Sequence, residues 1–276
     1  MIRFQGVSKV YENGHKVLDG LTFDIKKGEI TVLIGPSGCG KTTALKMINR
    51  LIRPSAGEIF IEGKNIAGFD PVALRRKIGY VIQSVGLFPH MTIARNVGLV
   101  PLLLKWDKAR IAARVDELLT MAGLDPDTYR SRYPSELSGG QQQRVGVIRA
   151  LAADPDIVLM DEPFSALDPI SREQLQDELI RMQQDLKKTI VFVTHDMDEA
   201  IKIADTIIIM NEGRIVQMGP PEQILRHPAN DFVRSFIGKK RLHEEAGEPM
   251  TVERVMVRSP VTAYPTRGLA EAIKMM

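Results

Sequence analysis

Short apolar runs alternate with amphipathic stretches along most of the chain. Four of them, Ile30–Ile34, Gly79–Ile82, Ile157–Met160 and Ile190–Val193, are rich in Val or Ile and end at polar or glycine-rich segments. Unbroken apolar strands of this kind are buried on both faces of a parallel sheet. Between them the spacing predicts helices over Thr42–Leu51, Lys108–Met121, Gln141–Ala152 and Ser171–Leu186. Strand–helix alternation predicts an α/β fold with right-handed crossovers. The first strands differ: Ile2–Val10 and Val17–Ile25 flank Tyr11–His15, and Gly57–Ile61 precedes Gly63. They predict antiparallel hairpins on one side of the core. From Pro89 to Ala152 the strand signal gives way to helical periodicity, as in a helical subdomain inserted into the core. The core resumes at Asp156–Met160 and ends in a short helix at Phe232–Ile237. Residues 238–249 contain the charged run KKRLHEEAGEP, which closes on Gly and Pro and has the composition of a linker.

Composition narrows the function classes. Lys and Arg number 37 against 34 Asp and Glu, a net +3. That balance is too even for a nucleic-acid partner, whose phosphates demand a basic patch. A single cysteine excludes an internal disulfide and fits a reducing compartment. No apolar run approaches the roughly 18 residues of a spanning helix, and the start MIRFQGVSKVYENG lacks the apolar stretch of a secretory signal. The expectation is a cytosolic protein whose membrane role, if any, comes through a partner.

Residues 30–43, ITVLIGPSGCGKTT, match G-x-x-x-x-G-K-[ST] from Gly35 to Thr42, with a strand before and a helix after. Glycines Gly35, Gly38 and Gly40 let the backbone turn its N–H groups toward phosphates, and the helix starting near Lys41 adds its positive dipole end. Ser37, Cys39 and Thr43 complete the expected ATP cradle. Lys41 is expected at the β- and γ-phosphates and the Thr42 hydroxyl on Mg²⁺. Cys39 reads first as a small side chain that fits; a helix N-terminus would lower its thiol pKa.

Asp156–Pro163, DIVLMDEP, delivers Asp161 and Glu162 to the end of a buried strand. Asp161 is the expected Mg²⁺ ligand and Glu162 the expected general base. Because ligands of open α/β sheets sit at strand C-termini, Gln83 and His195 join them. Gln83 is placed to bind Mg²⁺ or the lytic water, and His195 to donate to the γ-phosphate. Residues 137–144, LSGGQQQR, open a helix at Ser138, Gly139, Gly140 and Gln141, whose N–H groups suit an anion but which carry no lysine. They suggest a second half-site capping a phosphate held elsewhere.

The order GPSGCGKTT, Gln83, LSGGQ, LMDEP, SALD at Ser165–Asp168 and His195 resembles the ATPase subunits of ABC transporters from about residue 2 to 237. The resemblance implies a P-loop NTPase core with an antiparallel β subdomain and an inserted helical subdomain, over 1–237. It also implies a head-to-tail homodimer in which LSGGQ of one chain closes on ATP held by the other. It puts Asp168 across the dimer seam and Tyr11 on adenine. The runs Ser84–Thr92 and Ile93–Leu99 look like the importer surface that docks a membrane permease, which places the chain at the cytoplasmic face of the cell membrane. A substrate-binding protein or domain would be an indirect partner. MINRLIRPSAGEIFIEG and GYVIQSVGLFPHMTI look most like importers of glycine betaine, choline or carnitine, and residues 250–276 resemble the start of a CBS domain, cut short. Two readings stand beside this one. One is an importer ATPase for another solute such as an amino acid, and the other a non-transport ABC ATPase.

Overall fold

Two sheets organise the chain. The computed structural model describes residues 1–165 and 167–238. Its strands are β1 Ile2–Val10, β2 Lys16–Ile25, β3 Ile30–Ile34, β4 Ala56–Ile61, β5 Lys64–Asn65, β6 Ile78–Val81, β7 Ile157–Asp161, β8 Thr189–Thr194, β9 Thr206–Asn211 and β10 Arg214–Gly219. Its α-helices are α1 Lys41–Ile48, α2 Pro71–Arg76, α3 Ile93–Val97, α4 Leu99–Leu103, α5 Lys108–Met121, α6 Pro126–Tyr129, α7 Gly139–Leu151, α8 Pro169–Leu186, α9 Met197–Ile203, α10 Pro221–Arg226 and α11 Asp231–Ile237.

The larger sheet runs β10-β9-β3-β8-β7-β6, parallel throughout except for the edge strand β10. The smaller is antiparallel, β2-β1-β4-β5. Alternate residues of each central strand enter different cores, as the two-residue period of a strand requires. Val32, Val158 and Phe192 join a core built with the helices that follow, including Val115 of α5, Val145 of α7 and Leu175 of α8. Their neighbours Leu33, Leu159 and Val191 join a second core with Leu45 and Met47 of α1 and with Phe4 and Phe23 of the antiparallel sheet. The large sheet is thus a shared wall between two layers.

Several boundaries differ from the sequence expectation, for local reasons. Helix α1 stops at Ile48 rather than Leu51, because Arg50 takes a left-handed backbone (φ 55°) and Leu51 N–H turns back to the Lys46 carbonyl. Helix α7 starts at Gly139, two residues early, because Ser138 and Gln141 form a reciprocal cap. The hairpin β9–β10 adds to the expected strands; its turn carries positive φ at both Glu212 (47°) and Gly213 (76°), the backbone of a tight two-residue hairpin. Residues 93–151 hold helices and no strand among the described residues. The expected linker beyond Gly238 and the expected CBS start lie outside the described residues.

Candidate functional site

Strand β3 ends on Ile34, and the chain turns through Gly35–Gly40 into α1. Two glycines are obligatory there. A methyl group on Gly35 would meet the Met210 carbonyl oxygen of β9 at 2.1 Å, and one on Gly40 (φ 103°) would meet Leu18 Cδ2 at 2.4 Å. Lys41 is buried, and its Nζ donates to the carbonyls of Gly35 (2.7 Å) and Pro36 (3.0 Å). The ammonium therefore lies along the inside of the loop it follows. Cys39 lies 3.8 Å from that Nζ. Burial pushes its thiol above the ordinary value, outweighing the lysine's opposite pull. This corrects the expectation of a lowered thiol: the helix start is present, but desolvation wins.

Three strand ends, those of β6, β7 and β8, converge beside the loop that follows β3. Thr42 Oγ1 donates to Asp161 Oδ1 at 2.7 Å, joining α1 to the end of β7. Glu162 follows, with its N–H on the Val193 carbonyl of β8 at 3.0 Å and a left-handed φ of 46°. Gln83 Nε2 donates to Glu162 Oε2 at 3.4 Å, and His195 Nδ1 lies 3.2 Å from the same oxygen. Gln83, Asp161, Glu162 and His195 share the lining of one cleft of about 770 Å³, together with Tyr80. The sheet edge thus brings together Gln83, Asp161, Glu162 and His195, as expected from strand ends, with Thr42 of α1 beside them, as expected from the loop motif. Tyr80 was not expected. Its hydroxyl is buried beside the Asp161 carboxylate. Burial first, and then the Asp161 carboxylate, push it well above the usual phenol range. Its only sequence signal is a polar-tipped aromatic three residues before Gln83.

The remaining expected residues sit elsewhere. At the start of α7, Ser138 Oγ accepts from Gln141 N–H, and Gln141 Oε1 accepts from Ser138 N–H at 3.0 Å. Gln141 Nε2 donates to Tyr129 OH at 2.9 Å, which fixes its amide. A methyl on Gly139 would meet nothing within 4 Å. No hydrogen bond joins Ser138–Gln141 to Gly35–Thr43 among the described residues. Asp168 is exposed and caps α8 through Ser171 N–H; the Ser171 hydroxyl first, and then that N–H, hold its carboxyl below the usual range. Tyr11 is exposed at the β1–β2 turn, with Lys9 Nζ 5.2 Å from its ring centre.

The loop Ser84–Thr92 is pinned from below. Asn96, fully buried, accepts from Phe88 N–H at 2.8 Å and donates to the carbonyls of Phe88, Met91 and Thr92, each at 3.1 Å. Arg149 of α7 donates to the Gly86 carbonyl at 2.7 Å. Leu87 packs on the core while Phe88 stays exposed. Beside the loop lies an apolar groove of about 560 Å³ lined by Met91, Ala94, Leu99, Leu102, Ile111 and Val115.

Known proteins resemble this chain in sequence and in fold. The model of the ABC transporter family matches residues 18–165. The glycine betaine/carnitine/choline transport ATP-binding protein of Bacillus subtilis is 58% identical over all of this chain and 72% of its own length. The osmoprotectant import ATP-binding protein of Salmonella typhimurium is 50% identical over all of this chain and 73% of its own length. Among solved structures, cbiO1 of Clostridium perfringens, part of a transporter complex, superposes with a TM-score of 0.75 at 30% identity, covering 81% of this chain and 89% of its own. A dimeric ATP-binding cassette in a post-hydrolysis state with ADP and phosphate gives 0.71 at 35% identity, covering 80% of this chain and 99% of its own.

Proposed function

The chain belongs to the ABC transporter family, and from that premise we propose that it is the ATP-hydrolysing subunit of an importer of quaternary-ammonium osmoprotectants such as glycine betaine, carnitine or choline. The observation that carries the chemistry is the convergence of Thr42, Gln83, Asp161, Glu162 and His195 on one sheet edge beside the glycine loop. The cargo is inferred from relatives named for these solutes, which align over the whole chain.

In this reading Gly35, Ser37, Gly38, Cys39, Gly40 and Thr43 wrap the phosphates and Lys41 leaves its loop carbonyls for the β- and γ-oxygens. The hydroxyl of Thr42, the carboxylate of Asp161 and the side-chain amide of Gln83 form a hard oxygen set at 2.7 Å closest spacing, which suits Mg²⁺. Those three residues would hold it, and it would neutralise charge on the phosphates. Glu162 takes a proton from water as the water oxygen attacks the γ-phosphorus; the bond to the bridging oxygen breaks and ADP leaves. His195 stays on the γ-phosphate, and the 3.2 Å contact to Glu162 holds base and donor in register. Tyr11 offers a ring face to adenine.

A second copy completes the site. Ser138, Gly139, Gly140 and Gln141 present a helix start with nothing over Gly139, suited to a γ-phosphate held by the partner, and Asp168 faces across the seam. Among the described residues no helix is long and apolar enough to cross a membrane. The permease would engage Ser84–Thr92 and the groove beside it, with a substrate-binding protein acting further upstream, at the cytoplasmic face of the membrane. The test is uptake of labelled glycine betaine, choline and carnitine in cells lacking their own importers, with this chain and its co-purifying permease restored. Uptake that needs Lys41 supports the assignment. ATP hydrolysis with uptake of none of the three, but of an amino acid, reassigns the cargo.

A further inference from the structure

Two segments that the proposed function assigns to different contacts are held to each other by one side chain. Arg172, in the first turn of α8, donates through Nη2 to the Leu167 carbonyl at 3.1 Å, and its own N–H bonds the Asp168 carbonyl at 3.0 Å. Through Nη1 it reaches Asp196 Oδ2 at 3.4 Å. Its Nε is buried with no hydrogen-bond partner among the described residues. Asp196 directly follows His195, and its two carboxylate oxygens divide their work. Oδ1 caps α9 by accepting from Asp198 N–H at 2.9 Å, while Oδ2 faces the guanidinium. The Asp196 N–H is also held by Thr194 Oγ1 at 3.0 Å, so the backbone on both sides of His195 is fixed.

We propose that Arg172 is a positioning residue that brackets the Leu167–Asp168 turn to the His195 loop, so that a contact made by a partner chain at Asp168 sets the place of His195. The argument is geometric. A guanidinium is a planar fork with donors in fixed directions. With one Nη on a backbone carbonyl and the other on a carboxylate, the turn cannot shift relative to Asp196 without breaking one of the two. The backbone of His195 lies between Thr194, buried at the end of β8, and Asp196. A shift of the turn is therefore passed to the residue 3.2 Å from Glu162 rather than absorbed. Lysine, a point charge with no fork, would keep one contact at most.

The inference rests on the reading that His195 meets the γ-phosphate and Asp168 meets a second copy. The experiment keeps the two separable. Wild type, Arg172→Met, Asp196→Asn and the double variant are compared for melting temperature, MgATP affinity, kcat and the Hill coefficient of hydrolysis. Asp196→Asn is the conservative arm, since asparagine keeps one oxygen for the cap and puts a donor-only amide nitrogen in place of the oxygen that accepts from Arg172. The expected result is unchanged MgATP affinity and a kcat lower by roughly ten- to a hundredfold, the scale on which misplacing a positioned group slows a reaction. The Hill coefficient should fall toward one, and the double variant should be no worse than the more impaired single. Single variants with the wild-type kcat and Hill coefficient overturn the proposal, as do losses that add independently in the double variant. If Arg172→Met does not fold, Asp196→Asn alone decides, by the same measures. A wild-type chain that does not hydrolyse ATP would instead sink the functional reading beneath it.

Discussion

Replacing Gly35 by alanine tests whether the phosphate loop is a built structure or merely a flexible one. The added methyl would stand 2.1 Å from the Met210 carbonyl oxygen and 2.9 Å from Cys39 Sγ, at φ 156°. Met210 belongs to β9, hydrogen-bonded to β3 on one side and β10 on the other, so its oxygen has nowhere to go. The loop must retreat by roughly 1 Å, an overpacking of about 2 kcal/mol, to which the backbone adds about 1 kcal/mol. A loss of about 3 kcal/mol in a domain of this size lowers the melting temperature by roughly 6–12 °C. Gly38→Ala is the control. Its φ of 82° is also left-handed, yet a methyl there meets nothing within 4 Å. Strain alone, about 1 kcal/mol, lowers the melting temperature by roughly 2–4 °C. Scanning calorimetry on both variants and titration with MgATP read the two effects. Gly35→Ala should also bind MgATP at least about tenfold more weakly, because hydrogen bonds from a displaced backbone lose their length and angle. A Gly35→Ala protein that melts with wild type and keeps its affinity refutes the reasoning. So does Gly38→Ala proving the worse of the two.

Other substitutions read other parts of the site. Glu162→Gln should keep MgATP binding, lower kcat by about 10²–10⁴-fold and accumulate an ATP-bound dimer on size-exclusion chromatography; hydrolysis at the normal rate would remove Glu162 as base. Lys41→Ala should abolish MgATP binding in an equilibrium titration, and retained tight binding would defeat the loop assignment. Cys39 should label slowly with a maleimide at neutral pH, because its thiol is held protonated by burial, and faster as pH rises above the ordinary thiol range. Complete labelling should block MgATP; unchanged affinity in the labelled protein rejects that steric role. Glu199, buried on α9 with Gln176 Nε2 donating to it at 3.2 Å, is raised by burial and by Asp196 against the pull of Thr194, Gln176 and Arg172. A raised carboxyl contributes its stability below the ordinary carboxylate range and loses it as pH rises through the folded value. Glu199→Gln should therefore melt above wild type at pH 7, with the gap closing below about pH 4. A gap independent of pH would mean that the burial cost of the charge is not what the substitution removes.

The parts legible from sequence are those fixed by local rules. The central strands are buried on both faces, so Val32, Val158 and Phe192 and their neighbours leave unbroken apolar runs. Each site residue on the sheet edge lies just past such a run, so strand ends alone assembled Gln83, Asp161, Glu162 and His195. What escaped depends on pairing across the chain. The hairpin β9–β10 needed its turn backbone at Glu212–Gly213 recognised. Helix α1 ended early because Arg50 adopts a conformation no pattern announces. Tyr80 and Arg172 carry no motif: one matters for a hydroxyl buried beside Asp161, the other for two contacts, at positions 167 and 196, that only folding brings together. Cys39 misled because the helix start is local and visible while the burial that overrides it is not.

The left-handed backbone at Glu162 bears on how this chain could be traded between durability and work. A φ of 46° is one that glycine takes freely and a β-carbon resists, at about 1 kcal/mol. Glycine would give back a similar amount, about 0.5–1 kcal/mol, through the added freedom of the unfolded chain. On melting temperature, then, Glu162→Gly should be nearly silent, although it removes the carboxylate that His195 and Gln83 both approach. A screen for stable variants would let such a chain through, and with Glu162 as the base proposed above, only a screen for turnover would reject it. The position proposed here as the base is one that folding alone has little reason to defend.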